Sequence, residues 1–224
     1  SPASANSLVG LKPTTGSLSR SGVVPISSTL DTTGPITRNI ADAVILFNAM
    51  AGFDENDMAM PLLSADLSLI YRTVDLNGKR LGALGNFADN EFYQEALEML
   101  SENEASIVDV IMNYERNEGF SDLLGSEMVR DLALYLEAYS AKEVEIDSIA
   151  SLRKFNEMDL DLRAPYGQEL IDMMDELALA PADVESLRDE LQSNAKGALE
   201  YLFTEFELDV LLSINNRHAN IAAL

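Results

Sequence analysis

Residues 1–57 constrain this chain more than any other stretch. They read SPASANSLVGLKPTTGSLSRSGVVPISSTLDTTGPITRNIADAVILFNAMAGFDEND. Residues 1–50 hold four of the twelve glycines and four of the seven prolines. Each proline biases the residue before it away from the helical region. The glycines permit a positive φ or a close backbone approach. This predicts short extended pieces joined by turns up to Pro35. The same fifty residues carry Lys12, Arg20 and Arg38 against Asp31 and Asp42, a net of +1. A segment so poor in charge and so rich in Ser and Thr is unlike a solvated loop. It suits irregular backbone packed inside a protein, with hydroxyls satisfying buried amides.

The remainder of the chain has a different texture. The whole carries a formal charge of −23, so residues 51–224 carry −24. That surface repels nucleic acid, whose phosphates need clustered Lys and Arg. It also disfavours anionic membranes. It keeps a chain soluble, or it recruits a basic partner. Apolar residues make up 47% of the 224, enough for a sizeable core. No apolar run approaches the roughly 18 residues of a membrane span. No secretory leader is legible at residue 1; the compartment stays open, with the cytoplasm as the expectation. Without cysteine there is no disulfide, zinc-thiolate site or cysteine nucleophile. With His218 as the one histidine, no site built on several imidazoles exists in one chain.

Helical periodicity starts at Ile40. Thr37 is placed to cap a helix to about Met50, with Ile40, Val44 and Phe47 on one face and Gly52 as its stop. Phe53 to Asp57 reads as a solvated acidic turn, since it lacks the glycine and terminal glutamate of a calcium loop. Lys79 to Leu84 reads as a buried strand after an Asn77-Gly78 turn. Asn90 caps a helix carrying Phe92, Ala96, Leu97 and Leu100. The β-branched run from Ile107 to Met112 is the next strand, and strand, helix, strand of this length predicts a parallel crossover. From Ser121 to Glu207 the pattern is helical. Stripes fall at Leu124, Met128, Leu132 and Leu136, at Ile149, Leu152 and Phe155, and at Leu170, Met173, Met174 and Leu177. Pro181 suits the first turn of a long helix. Asp209 to Ile214 reads as a central strand. The expectation is one partial domain, divided as residues 1–60, 61–115, 116–207 and 208–224.

Several tempting motifs dissolve on inspection. Gly10 to Ser17 has five residues between its glycines, not the four of a phosphate loop, and Pro13 removes an amide donor. Thirty-eight carboxylates place many acids close together by chance, so no glycosidase-like pair follows from spacing. A Ser-His-Asp triad would need His218 and a nucleophile elbow that the sequence lacks. Nothing points to a metal or a cofactor.

One specific signal remains. Leu8-Val9-Gly10-Leu11-Lys12-Pro13-Thr14 is followed by Gly16, by Gly22-Val23-Val24-Pro25 and by Leu30-Asp31. Then come Gly34-Pro35, Thr37-Arg38 and Ala41-Asp42-Ala43. This order closely resembles the amidase signature family, in the part that follows its nucleophilic serine. The likeness is dense over residues 2–60 and thin beyond. Leu152 to Asn156 and Tyr166-Gly167-Gln168 resemble the peptide-amidase branch.

The resemblance implies an α/β core, a mixed sheet flanked by helices, with a helix-rich acidic second half. It implies hydrolysis of carboxamides by a serine, a second serine beside a cis peptide bond and an uncharged lysine. Pro2-Ala3-Ser4 matches the segment after the nucleophile turn, which puts that serine about three residues before Ser1. All three triad members then precede Ser1, and no catalytic residue is carried onto this chain. Lys12 is a structural lysine on this reading and not the family's base. The support residues are Gly10, Lys12, Pro13 and Thr14 behind the nucleophile turn, Asp31, Gly34 and Pro35 at its rim, and Arg38 paired with Asp42 on a helix. Asn215, Asn216 and His218 fall where a family strand end nears the substrate, although the family's Thr-Pro pattern is absent there. The implied partner is a small amide or peptide amide, with no nucleic acid and no membrane. Self-association or a companion segment completes the expectation. Alone, the chain is expected to be inactive. The alternatives are a stable fragment without function, an acidic interaction module, and the amidase subunit of an amidotransferase.

Overall fold

A computed structural model describes residues 2–60, 68–112, 114, 119–214 and 221–224. Candidate residues Asn215, Asn216 and His218 lie outside them. The chain is α/β. In order it forms helix α1 (Pro2–Ala5), strands β1 (Val9–Gly10) and β2 (Ile36–Thr37), helix α2 (Ile40–Met50) and strand β3 (Arg80–Leu84). Helix α3 (Glu91–Glu102), strand β4 (Ser106–Val110) and helices α4 (Phe120–Tyr139), α5 (Ile149–Glu157) and α6 (Leu160–Arg163) follow. Helices α7 (Glu169–Glu176) and α8 (Pro181–Glu205) and strand β5 (Val210–Leu212) complete it.

Strands β4, β3 and β5 form a parallel sheet in that spatial order, with Leu81 opposite Ile107 and Gly82 opposite Leu211. The crossover through α3 matches the expectation from the sequence. Among the described residues β5 pairs with β3 alone and is an edge strand, not a central one. Among the described residues antiparallel pairing is confined to β1 with β2, in a separate sheet. Residues 81–84 are all buried, as a parallel strand covered on both faces should be. At Gly82 a Cβ would stand 2.5 Å from Leu208 Cδ1, so a larger residue there must push that side chain aside. The β5 register is fixed from its N-terminal side. Asp209 accepts from Arg80 N at 2.8 Å and from Lys79 Nζ at 2.8 Å.

Helix α3 is locked to the sheet by one hydroxyl. Tyr93 Oη accepts from Leu84 N (3.0 Å) and donates to Leu212 O (3.1 Å). Asn90 caps this helix as expected. Its buried face is Tyr93 and Leu97, however, and Phe92 is 80% exposed. A tyrosine with two backbone partners sits better in the wall than a phenylalanine with none.

Helix α8 joins the two halves of the core. Its buried residues Val184, Leu191, Ala195 and Leu202 share one face. Ala195 and Leu202 pack with Leu84, Val110 and Leu208. Val184 and Leu191 pack with Leu123 of α4. Helix α4 turns Leu123, Gly125, Ser126, Glu127 and Leu132 inward, so the expected stripe is rotated. Gly125 permits a close crossing of α7, since a Cβ there would stand 2.7 Å from Met174 O. Arg153 ties α5 to α7 through Asp172 and Asp175, each at 2.6 Å. Helix α7 has no fully buried residue, so its methionines are only partly core.

Helix α2 is capped by Asn39 and not by Thr37. Asn39 Oδ1 accepts from Asp42 N, and Asn39 Nδ2 donates to Asp42 Oδ2, both at 2.8 Å. That reciprocal bonding takes up Asp42, and no ion pair joins it to Arg38. Ala43 and Phe47 are the buried residues, while Ile40 is 61% exposed. The helix ends on extended Ala51, one residue before Gly52. None of the described helices is long and apolar enough to cross a membrane.

Leu84 is fully buried where the sheet meets α8. Leu84→Ala should lower the free energy of unfolding by about 2–5 kcal/mol, measured by denaturant titration. A loss under about 1 kcal/mol would mean that this cluster is not the core.

Candidate active site

The loop between β1 and β2 builds the candidate site. Leu11 N donates to Pro35 O at 3.1 Å, which draws the Lys12-Pro13 turn against Gly34-Pro35. A Cβ at Gly34 would stand 2.1 Å from Leu11 O, so glycine alone fits this crossing. Pro35 is fully buried. Around this crossing lies a cavity of about 530 Å3, walled by α1 residues Pro2, Ala3 and Ser4, by Gly10 to Lys12, and by Thr32 to Ile36. Lys12 Nζ donates to Pro13 O at 3.1 Å, and partial desolvation of this otherwise exposed side chain lowers its pKa. A lysine in that setting gives up a proton more readily than a solvated one.

Of the residues singled out from sequence, Gly10, Lys12, Gly34 and Pro35 therefore share one cavity. Pro13 is buried behind it, and Thr14 is exposed beside it. Asp31 lines a second cavity on the far side of the same loop. Arg38 and Asp42 line neither. No group of three or more His, Asp or Glu among the described residues is placed to hold a metal ion.

Two carboxylates that the sequence reading passed over hold the loop in place. The expected solvated turn after α2 is folded inward, and Asp57 is only 5% exposed. Asp57 accepts from Arg20 Nε (3.1 Å), Arg20 NH2 (2.8 Å), Arg20 N (2.9 Å) and Ala59 N (3.0 Å). Burial alone pushes this carboxyl up, but the bonds from Arg20 and from the two amides outweigh it and hold it below the usual carboxylate range. The same ion pair raises the Arg20 guanidinium. Arg20 NH1 also donates to Ser28 O at 2.6 Å. Beside this pair Ser19 Oγ donates to Asp54 Oδ2 at 2.6 Å. Ser19 and Ser21 hold the Asp54 carboxyl far down.

The second carboxylate is Glu127 on α4, 1% exposed. It accepts from Ser27 Oγ, from Thr29 Oγ1 at 2.7 Å and from Thr29 N at 3.2 Å. Arg130, one turn on, stands 3.6 Å away and donates to Ser28 Oγ at 2.6 Å. Asp131 accepts from Ser28 N at 2.9 Å. The expected role of hydroxyls in this segment is met at Ser27, whose Oγ also accepts from Leu30 N. A buried carboxylate needs several donors or a cation, and the Ser27-Ser28-Thr29 turn supplies three hydroxyls. A glutamate inside the apolar run Leu123 to Val129 is the only mark Glu127 leaves in the sequence, and its partners lie about a hundred positions away.

Asp57→Asn keeps the shape but removes the charge facing Arg20. It should cost about 2–3 kcal/mol at neutral pH. The carboxyl is held low in the folded chain, so its contribution is full above about pH 4 and fades as the pH falls through the depressed value. The gap between wild type and variant in urea unfolding should therefore narrow towards low pH. A gap independent of pH would contradict the ion pair.

A family model described as Amidase matches residues 1–213. An amidase family protein from Bacillus anthracis superposes with a TM-score of 0.87 at 31% identity, over 99% of this chain and 45% of that one. The native peptide amidase of Stenotrophomonas maltophilia superposes with a TM-score of 0.75 at 29% identity, over 94% of this chain and 45% of its own. A probable amidase of Arabidopsis thaliana is 28% identical over 237 residues, which covers 100% of this chain and 46% of that protein. The chain spans a little under half the length of these relatives.

Proposed function

This chain belongs to the amidase signature family, and on that premise we propose that it is the part of a carboxamide hydrolase that backs the reacting groups. The observation that carries the reading is the cavity where Pro2 to Ser4 meet Lys12 and Thr32 to Ile36. There the residues of the family-like motif converge on the segment next to the expected nucleophile.

On this reading the serine, the relay serine and the lysine base precede residue 1. The serine attacks the amide carbonyl, the leaving amine takes up a proton, and water then releases the acid. The present residues position and exclude. Gly34 lets two loop arms close on one another. Pro35 and Pro13 stiffen them. The substrate class is a small amide or peptide amide, in keeping with the peptide amidase among the solved relatives. Lys12 donates to its neighbour's carbonyl and supports the wall.

Ammonia release from a panel of primary carboxamides tests this. Residues 1–224 alone should give none, and the same residues within a full-length amidase chain should release ammonia and acid in equal amounts. Gly34→Ala in that longer protein should cut kcat/KM at least about 100-fold, since its Cβ displaces the wall of the reacting centre. Turnover only with added glutamine and partner subunits would favour the amidotransferase reading. Full activity with Gly34→Ala would remove the cavity from the mechanism.

A further inference from the structure

The Arg20–Asp31 loop and the C-terminal half of α4 enclose a second cavity of about 430 Å3. Arg20 and Asp31 stand on one side, and Asp131, Leu134, Tyr135 and Tyr139 on the other. Its charge is not balanced. Among its lining residues Arg20 is set against Asp31, Asp57 and Asp131, which leaves two negative charges. Arg20 is committed to Asp57, and Arg130 to Asp131 at 2.6 Å.

Asp31 has no cation within ion-pair distance among the described residues. Its Oδ2 accepts from Ile26 N (2.7 Å) and Ser27 N (2.9 Å), which fixes its orientation. Its Oδ1 accepts no hydrogen bond from a described residue. Opposite it, the rings of Tyr135 and Tyr139 lie with centroids 5.0 Å apart at 33°, and Leu134 is 59% exposed. An oriented carboxylate facing tyrosine rings attracts a cation attached to an apolar or aromatic body. Asp31 lines the second cavity and the next residue, Thr32, lines the first, so the two walls are about 3.8 Å apart along the backbone.

From this juxtaposition we propose that the second cavity holds a protonated amino group and its neighbouring apolar side chain, so that amides with a free α-ammonium bind in preference to N-acylated ones. The inference rests on the carboxamide reading and names the substrate's other end. Asp31 Oδ1 accepts from the ammonium, and the tyrosine rings cover the side chain. The carboxamide then lies towards Thr32 to Gly34.

Calorimetric titration with L-phenylalaninamide and with N-acetyl-L-phenylalaninamide tests it. The two differ by an acetyl group that removes the charge of the α-nitrogen, and at about pH 6 the free α-amine is protonated. Residues 1–224 serve, because binding is read without turnover. L-phenylalaninamide should bind about three- to ten-fold more tightly, with the preference shrinking at high salt. Asp31→Asn keeps an acceptor for the two amides and should bring the ratio close to one. Leu134→Lys, at an exposed helix position, adds a cation without burying anything and should do the same. Glu200→Gln changes the net charge on the remote face of α8 and should leave the ratio unaltered. Equal binding of the two amides overturns the inference, as does an equal loss of preference with Glu200→Gln. If the ammonium preference holds and the longer protein releases no ammonia, the carboxamide reading fails and the site stands. If amides are cleaved without the preference, the reverse is true.

Discussion

The structure depends on two carboxylates taken out of water to hold one irregular loop. Residues 11–35 have almost no regular hydrogen bonding of their own, and such backbone is stable only if its polar groups find partners. Asp57 gathers Arg20 and two amides from one side. Glu127 gathers the Ser27-to-Thr29 hydroxyls from the other. Removing a charge from water is costly unless it is multiply bonded, so each carboxylate specifies its partners tightly. Between these clamps the loop passes both cavities, and its two ends are joined as β1 and β2.

The sheet serves a different purpose. Its three short parallel strands carry little polar chemistry among the described residues. They give the loop and α4 a fixed frame through α8, whose one face packs against the sheet at Leu202 and against α4 at Leu191. Glu127 is thus held on a helix that the central core fixes in place, and the loop bound to it inherits that position. Stability in the core and geometry at the cavities are linked where Leu123 of α4 packs on Val184 and Leu191 of α8.

Much of this is legible in the residues. The strand at Arg80 to Leu84, the parallel crossover to Ser106 to Val110 and the long helix from Pro181 all follow from periodicity and turn chemistry. So does the Asn90 cap. Four support residues of the family-like motif, Gly10, Lys12, Gly34 and Pro35, line one cavity. Local rules fail where a distant partner decides. Glu127 displaces the expected stripe on α4 because hydroxyls about a hundred positions earlier solvate it. Asp57 leaves the solvent because Arg20 meets it across 37 positions. None of these pairings has a period, so none is visible in a window of sequence.

On the proposed reading the residues of this chain form the supporting wall of an amidase, with its nucleophile outside them. Labelling a full-length amidase chain that contains these residues with a serine-directed sulfonyl fluoride, and mapping the adduct by peptide mass spectrometry, tests that division most directly. The account predicts one modified serine, on a peptide preceding Pro2, and no adduct on Ser4, Ser17, Ser19, Ser27 or Ser28. A stoichiometric adduct on any serine within residues 2–224, with loss of activity, would contradict it.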